Sequence, residues 1–154
     1  MPQKGYYNIH IILEEKQLDG SYKKGGNGSN QKNVFGLPLK SCSLNPVTGF
    51  FRTGCCETND LDHGVHTVCV KLTEEFLEFS FSVGNDLSTP RPEYQFPGLK
   101  PGDFWCLCAS RWLEAFQNGK APLVKLSATN SETLKLCELD DLIKFAIDKP
   151  VNDN

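Results

Sequence analysis

Apolar and polar positions alternate cleanly from His66 to Leu72. His66, Val68, Val70 and Leu72 fall on one side and Thr67, Cys69 and Lys71 on the other. A period of two with β-branched residues predicts a strand. Thr73 then stands as an N-cap, with Glu74 and Glu75 in the first turn, where the helix dipole favours acids. Leu72, Phe76, Phe79 and Val83 recur at helical spacing and Gly84 ends the run, so an amphipathic helix is expected there. Phe104–Cys108 reads as a buried strand that leads directly into a helix over 109–118, with Ala109, Trp112, Leu113 and Phe116 on its apolar face. Pro122–Ala128 reads as a further strand and Leu134–Glu138 as a short one. Asp140 is expected to cap a last helix whose stripe is Leu139, Leu142, Ile143 and Ala146.

Strands alternating with one-faced helices predict an α+β fold. Its form would be a two-layer sandwich, a small mixed sheet of about four strands covered by about three helices. Ahead of this body, Tyr7–Leu13 alternates like a strand, and a glycine-rich polar stretch follows up to Lys32. Residues 1–32 are therefore expected to be a tail and linker, 33–149 a single domain and 150–154 a C-terminal tail. The stretch from Gly36 to Gly54, interrupted by Pro38, Pro46 and Thr48-Gly49, predicts loops with short extended pieces.

Composition narrows the class. The 154 residues are 39% hydrophobic and 23% charged, with a formal net charge of −3. That suits one soluble globular domain, without the basic field that marks a nucleic-acid binder. No apolar run reaches the roughly 20 residues of a membrane helix, and the start lacks a secretory pattern. A cytoplasmic protein with neither a nucleic-acid nor a membrane partner is expected, its actual partners unknown. Seven cysteines, an odd number, would then be reduced thiols.

Several runs of the body are long and unusual in composition: Gly54-Cys55-Cys56, His66-Thr67-Val68-Cys69, Gly84-Asn85-Asp86-Leu87-Ser88-Thr89-Pro90-Arg91-Pro92-Glu93, Phe96-Pro97-Gly98-Leu99-Lys100-Pro101-Gly102-Asp103 and Trp105-Cys106-Leu107-Cys108. Over roughly 33–147 the chain resembles the mainly bacterial domain of unknown function 2237 family. The resemblance implies a two-layer α+β fold and brings no agreed catalytic residues. It also implies a Thr-His pair after the third body strand, where this chain has Thr129-Asn130.

Two regions are candidates for chemistry. Cys108 sits where a strand turns into a helix, whose free amides stabilise a thiolate. A nucleophilic cysteine needs a base, and His66 and His63 are the histidines of the body. Cys108, His66 and Asp86 are the catalytic candidates. Cys108 is expected to be the fastest thiol to alkylate and Cys69, mid-strand, the slowest, with Cys55 and Cys56 reduced. No paired C-x₂₋₄-C knuckle exists, so no cofactor is expected. Zinc on Cys55, Cys56, Cys106 and Cys108 is the alternative.

The second region is the proline-rich segment 85–103. Long irregular loops inside compact domains are often functional, and Asn85, Asp86, Ser88, Thr89, Arg91 and Glu93 would line a stiff binding edge there. Three readings follow: a ligand- or partner-binding accessory domain, the favoured one; a cysteine-dependent enzyme using Cys108, or Cys55 or Cys56; and a structural zinc domain.

Overall fold

A computed structural model describes residues 30–149. The Tyr7–Leu13 segment, most of the glycine-rich linker and residues 150–154 lie outside the described residues. The first strand, β1, is His66–Lys71. Helix α1, Glu74–Ser82, follows with the Thr73 hydroxyl accepting the Phe76 amide at 3.0 Å. Its buried face is Phe76, Leu77 and Ser80. Phe79 and Val83, expected in the core, are only partly buried. The rotation has a local cause: the Ser80 hydroxyl donates to the Asn85 carbonyl at 2.6 Å, drawing the chain back over that side.

Strand β2, Phe104–Cys108, pairs antiparallel with β1, with Lys71 opposite Phe104 and Cys69 opposite Cys106. The register slips between Val68 and His66, so that His66 rather than Thr67 faces Cys108. A bulge of this kind adds one residue and re-aims its neighbours. Thr67 is the extra residue. Its hydroxyl accepts from Thr133 at 2.7 Å and its carbonyl accepts the Asn130 amide at 2.9 Å. Val65, just before it, has φ of 50°, a left-handed conformation that a β-branched residue rarely adopts.

Helix α2, Ala109–Gln117, leaves β2 without a loop. Strand β3, Leu123–Val124, lies antiparallel on the other side of β1, giving the order β2-β1-β3. Helix α3 is Leu139–Lys144. The described residues thus form an α+β domain around a three-stranded antiparallel sheet, where four strands in a mixed sheet were expected. Pro122–Ala128 is shortened because the Asp148 carboxylate accepts the Leu126 and Ser127 amides at 2.6 and 3.0 Å, turning the chain into a 3₁₀ turn. Leu134–Glu138 is replaced as a strand by a 3₁₀ segment, Ser131–Lys135, which the Asn130 side chain caps through the Glu132 amide. Asp140 lies in the first turn of α3, whose N-cap is Glu138.

One face of the sheet, carrying Leu107, packs on Trp112, Phe76 and Leu142. Trp112 is fully buried, stacks on Phe116 at 5.2 Å and donates its indole N–H to the Pro122 carbonyl at 3.2 Å. Phe116 is only partly buried. Phe116→Ala is therefore expected to cost less than the roughly 3–5 kcal/mol of a fully buried phenylalanine, as denaturant unfolding would read it.

Cys42, Cys56, Cys69 and Cys106 lie on the opposite face. Cys69 is bonded to Cys42 and Cys106 to Cys56, which corrects the expectation of reduced thiols at Cys56 and at Cys69, though not at Cys55. The reason is the sheet register. Cys69 and Cys106 are directly opposed, and the incoming loop lays Cys42 and Cys56 over them. Cys55, Cys108 and Cys137 stand outside the disulfides. No helix among the described residues is long and apolar enough to cross a membrane.

Candidate active site

Cys108 is the last residue of β2 and the N-cap of α2. The positive end of the helix dipole therefore points at its half-buried sulfur. Without the bulge at Thr67, His66 would lie one position out of register. With it, His66 stands opposite Cys108, and the imidazole lies near enough to the thiol for Cys108 to help raise its pKa.

The other side of the ring is held by Asp62, one turn back along the chain. His66 Nδ1 donates to Asp62 Oδ1 at 2.6 Å, and the His66 backbone amide donates to Asp62 Oδ2 at 2.9 Å. The Thr58 hydroxyl gives Oδ2 a further bond at 2.9 Å. With Nδ1 committed to the carboxylate, Nε2 is the nitrogen left for the thiol. The Asp62 side chain is enclosed, with no exposed area. Burial alone would raise its pKa, but the His66 and Thr58 hydrogen bonds outweigh it and hold the carboxyl below its ordinary value. His66 is pushed up to about 10, first by the Asp62 hydrogen bond, then by the neighbouring Cys108, against the opposing effect of burial.

The sign of this shift sets a pH dependence. A raised histidine stabilises the fold fully below its ordinary 6.5, and that contribution is lost as pH rises through about 10. Replacing His66 by Asn should therefore flatten the decline of the unfolding midpoint over that window. An unchanged slope in denaturant titrations would contradict the shift.

Two further contacts fix the ring. Phe50 lies roughly parallel to it, with centroids 6.1 Å apart and an angle of 19°. Gly64 packs so close that a Cβ there would sit 2.6 Å from His66 Cε1. Gly64→Ala must push the imidazole out of place. Since small misplacements cost catalysis heavily, alkylation of Cys108 should slow by about tenfold or more while the fold survives. Equal labelling rates in the two proteins would show that the ring position does not matter.

Behind Asp62 lies a polar scaffold. Gln31 clamps Thr58 with two hydrogen bonds, of 3.0 and 3.1 Å, and Asn130 donates to Gln31 and to the Cys56 carbonyl at 2.6 and 3.0 Å. Asn130 stands where the resemblance implied a histidine, and its place here is in the buried network that carries Thr58. The hydrogen bonding of the domain thus reaches back to Gln31.

Asp86 is placed elsewhere. Its carboxylate accepts the Ser88 and Thr89 amides at 2.9 and 3.1 Å, and these groups, with the Thr89 hydroxyl foremost, hold it below its ordinary value. It thereby shapes the start of the 85–103 loop. Asn85 is tied to Ser80, while Ser88, Thr89, Arg91 and Glu93 are exposed. The loop is pinned by buried Leu99, whose amide donates to Leu87, and by Phe96 edge-on against Trp105 at 5.5 Å. Asp86, Ser88 and Thr89 line a hollow of about 600 Å³ against Leu77 and Phe81 of α1.

The four cysteines offered for zinc do not converge. Cys56 and Cys106 are bonded to each other, whereas Cys55 and Cys108 lie outside that cluster. The sulfurs that do converge are those of Cys42, Cys56 and Cys106, all within 4.8 Å of one another.

Sequence reasoning missed Asp62, Thr58, Phe50 and Gly64. The available signal was the Asp62-His63-Gly64-Val65-His66 run, whose spacing brings an acid back to His66 only because the chain turns at Val65. A family model described as "Uncharacterized protein conserved in bacteria (DUF2237)" matches residues 32–146. No curated protein matches the chain.

Proposed function

The chain belongs to this DUF2237 family, and we propose that it is a cysteine-nucleophile enzyme of the acyl-transfer class. Cys108 is the nucleophile, His66 the acid–base and Asp62 the residue that orients His66. One observation carries this reading. His66 is hydrogen-bonded on one side to an enclosed carboxylate at 2.6 Å and stands, across the bulged register, opposite a half-buried thiol at a helix N-terminus. That is the arrangement of nucleophile, base and orienting group which activates a weak nucleophile.

In this scheme the Cys108 thiolate adds to an acyl carbon, and the imidazolium of His66 protonates the departing oxygen or nitrogen. Water, deprotonated by His66, then cleaves the thioester and frees the acid and the thiol. Exposed Phe50, stacked on His66, supplies an apolar wall beside the imidazole and favours substrates with an apolar acyl group. The test is incubation with an activated aryl ester, followed by intact and peptide mass measurement. An acyl adduct on Cys108 that turns over, and is absent in Cys108→Ser and His66→Asn, is expected. Acylation scattered over lysines with Cys108 unmodified would overturn the reading.

A second reading is a binding domain. What favours it is the hollow of about 600 Å³, where Leu77, Phe81 and Leu99 face Glu74, Glu78 and Asp86, three acids against the single Lys100. An apolar floor with an acidic rim suits an amphiphilic cation, and such binding would survive Cys108→Ser.

A further inference from the structure

We propose that Cys42, Cys56, Cys69 and Cys106 form a four-thiolate zinc site when their two disulfides are reduced. The geometry rests on the sheet. Cys69 and Cys106 are directly opposed on adjacent strands, and the loop above brings Cys42 and Cys56 to meet them. The sulfurs of Cys42, Cys56 and Cys106 already lie within 4.8 Å of one another, with Cys69 bonded to the first of them. A tetrahedral site with Zn–S near 2.3 Å needs sulfur–sulfur separations of about 3.8 Å, so once the S–S bonds open the Cys69 sulfur, which lies outside the group of three, has to swing in to join it.

The backbone of the ligands is held without the disulfides. The Cys69 amide donates to the Thr129 hydroxyl at 3.1 Å, the Cys106 amide to the Thr48 hydroxyl at 2.8 Å and the Cys42 amide to the Gly54 carbonyl at 2.7 Å. Such surrounding bonds fix ligand direction in metal sites. The cluster is closed off by Ala128 and Phe104. A zinc with four thiolates carries a net charge of −2, and Lys125, whose ammonium lies 5.9 Å from the Phe104 ring centroid, is the nearby cation to offset it.

The chemistry balances with a dithiol as reductant. Each disulfide takes two electrons and two protons from one dithiol, which becomes a cyclic disulfide. The four thiols then lose four protons on binding Zn²⁺. Oxidation reverses both steps and expels the metal, so occupancy follows the thiol poise and falls in acid. The site is independent of Cys108 chemistry.

The test uses the full chain, reduced under argon, freed of reductant and titrated with Co²⁺ and then Zn²⁺. One cobalt per chain is expected, with thiolate charge-transfer and tetrahedral d–d bands that zinc erases. The same spectrum is expected in the Cys55→Ala, Cys108→Ala, Cys137→Ala triple variant. In wild-type protein one equivalent of zinc should slow alkylation of Cys42, Cys56, Cys69 and Cys106 by about tenfold or more, leaving Cys108 unaffected. Absence of the bands in the reduced wild-type chain overturns the proposal. So does zinc protection of Cys108 in place of these four, or a reduced chain that stays unfolded with zinc present.

Discussion

Asp62→Asn is expected to slow acylation of Cys108 by about 10²–10⁴-fold. The carboxylate accepts three bonds, from the His66 ring, the His66 amide and the Thr58 hydroxyl. Asparagine keeps the volume but supplies one acceptor oxygen and one donor nitrogen in their place. Its oxygen can serve the His66 amide and Thr58, which turns its NH₂ toward Nδ1. The imidazole then accepts at Nδ1 and carries its proton on Nε2, where it must be free to take the thiol proton. The charge that favours imidazolium is lost as well. Asp62 is a positioning residue, so its role shows in the ring it positions: the His66 titration followed by NMR should fall from about 10 toward its ordinary 6.5. A variant with an unchanged His66 titration and unchanged rate would remove Asp62 from the mechanism.

The largest stability effect is expected at Trp112. Its side chain is fully buried between Phe116 and Phe145, with its N–H satisfied by Pro122. Trp112→Ala empties that space and strands a carbonyl, at a cost of about 3–5 kcal/mol. The melting temperature should fall by roughly 10 °C or more. Trp112→Phe keeps most of the packing and should cost much less. A loss under about 1 kcal/mol for the alanine variant would mean that α2 packs elsewhere.

Much of the framework was legible because it rests on local periodicity. β1, α1, β2 and α2 each carry their own alternation, cap or apolar stripe within a few residues. The later elements were misread because side chains far along the chain decide them. Asp148 takes the amides that would extend β3, and Asn130 with Thr133 bends 131–135 into a 3₁₀ segment around Thr67. The site divided in the same way. Cys108 stood out by its place at a strand–helix junction and His66 by its chemistry. Their meeting depends on a bulge that alternation conceals, since ideal pairing would set Thr67 opposite Cys108. Asp62 sits in a turn closed by the left-handed Val65, a conformation that no propensity predicts for valine. The disulfides were missed for a related reason: Cys42 and Cys56 lie in irregular chain, and only the register of β1 on β2 shows that they face Cys69 and Cys106.

Timed alkylation of the native, unreduced protein, with each cysteine assigned by mass spectrometry, tests the Cys108–His66–Asp62 arrangement most directly. Cys137 is an internal reference, because burial, with the charges of Asp141 and Glu138, pushes its thiol up to about 12. Cys55, buried and outside the disulfides, is a second. The expected result is that Cys108 labels first by a wide margin near neutral pH and loses that lead in His66→Asn. A Cys108 that labels no faster than Cys137, or whose rate is indifferent to His66, would contradict it.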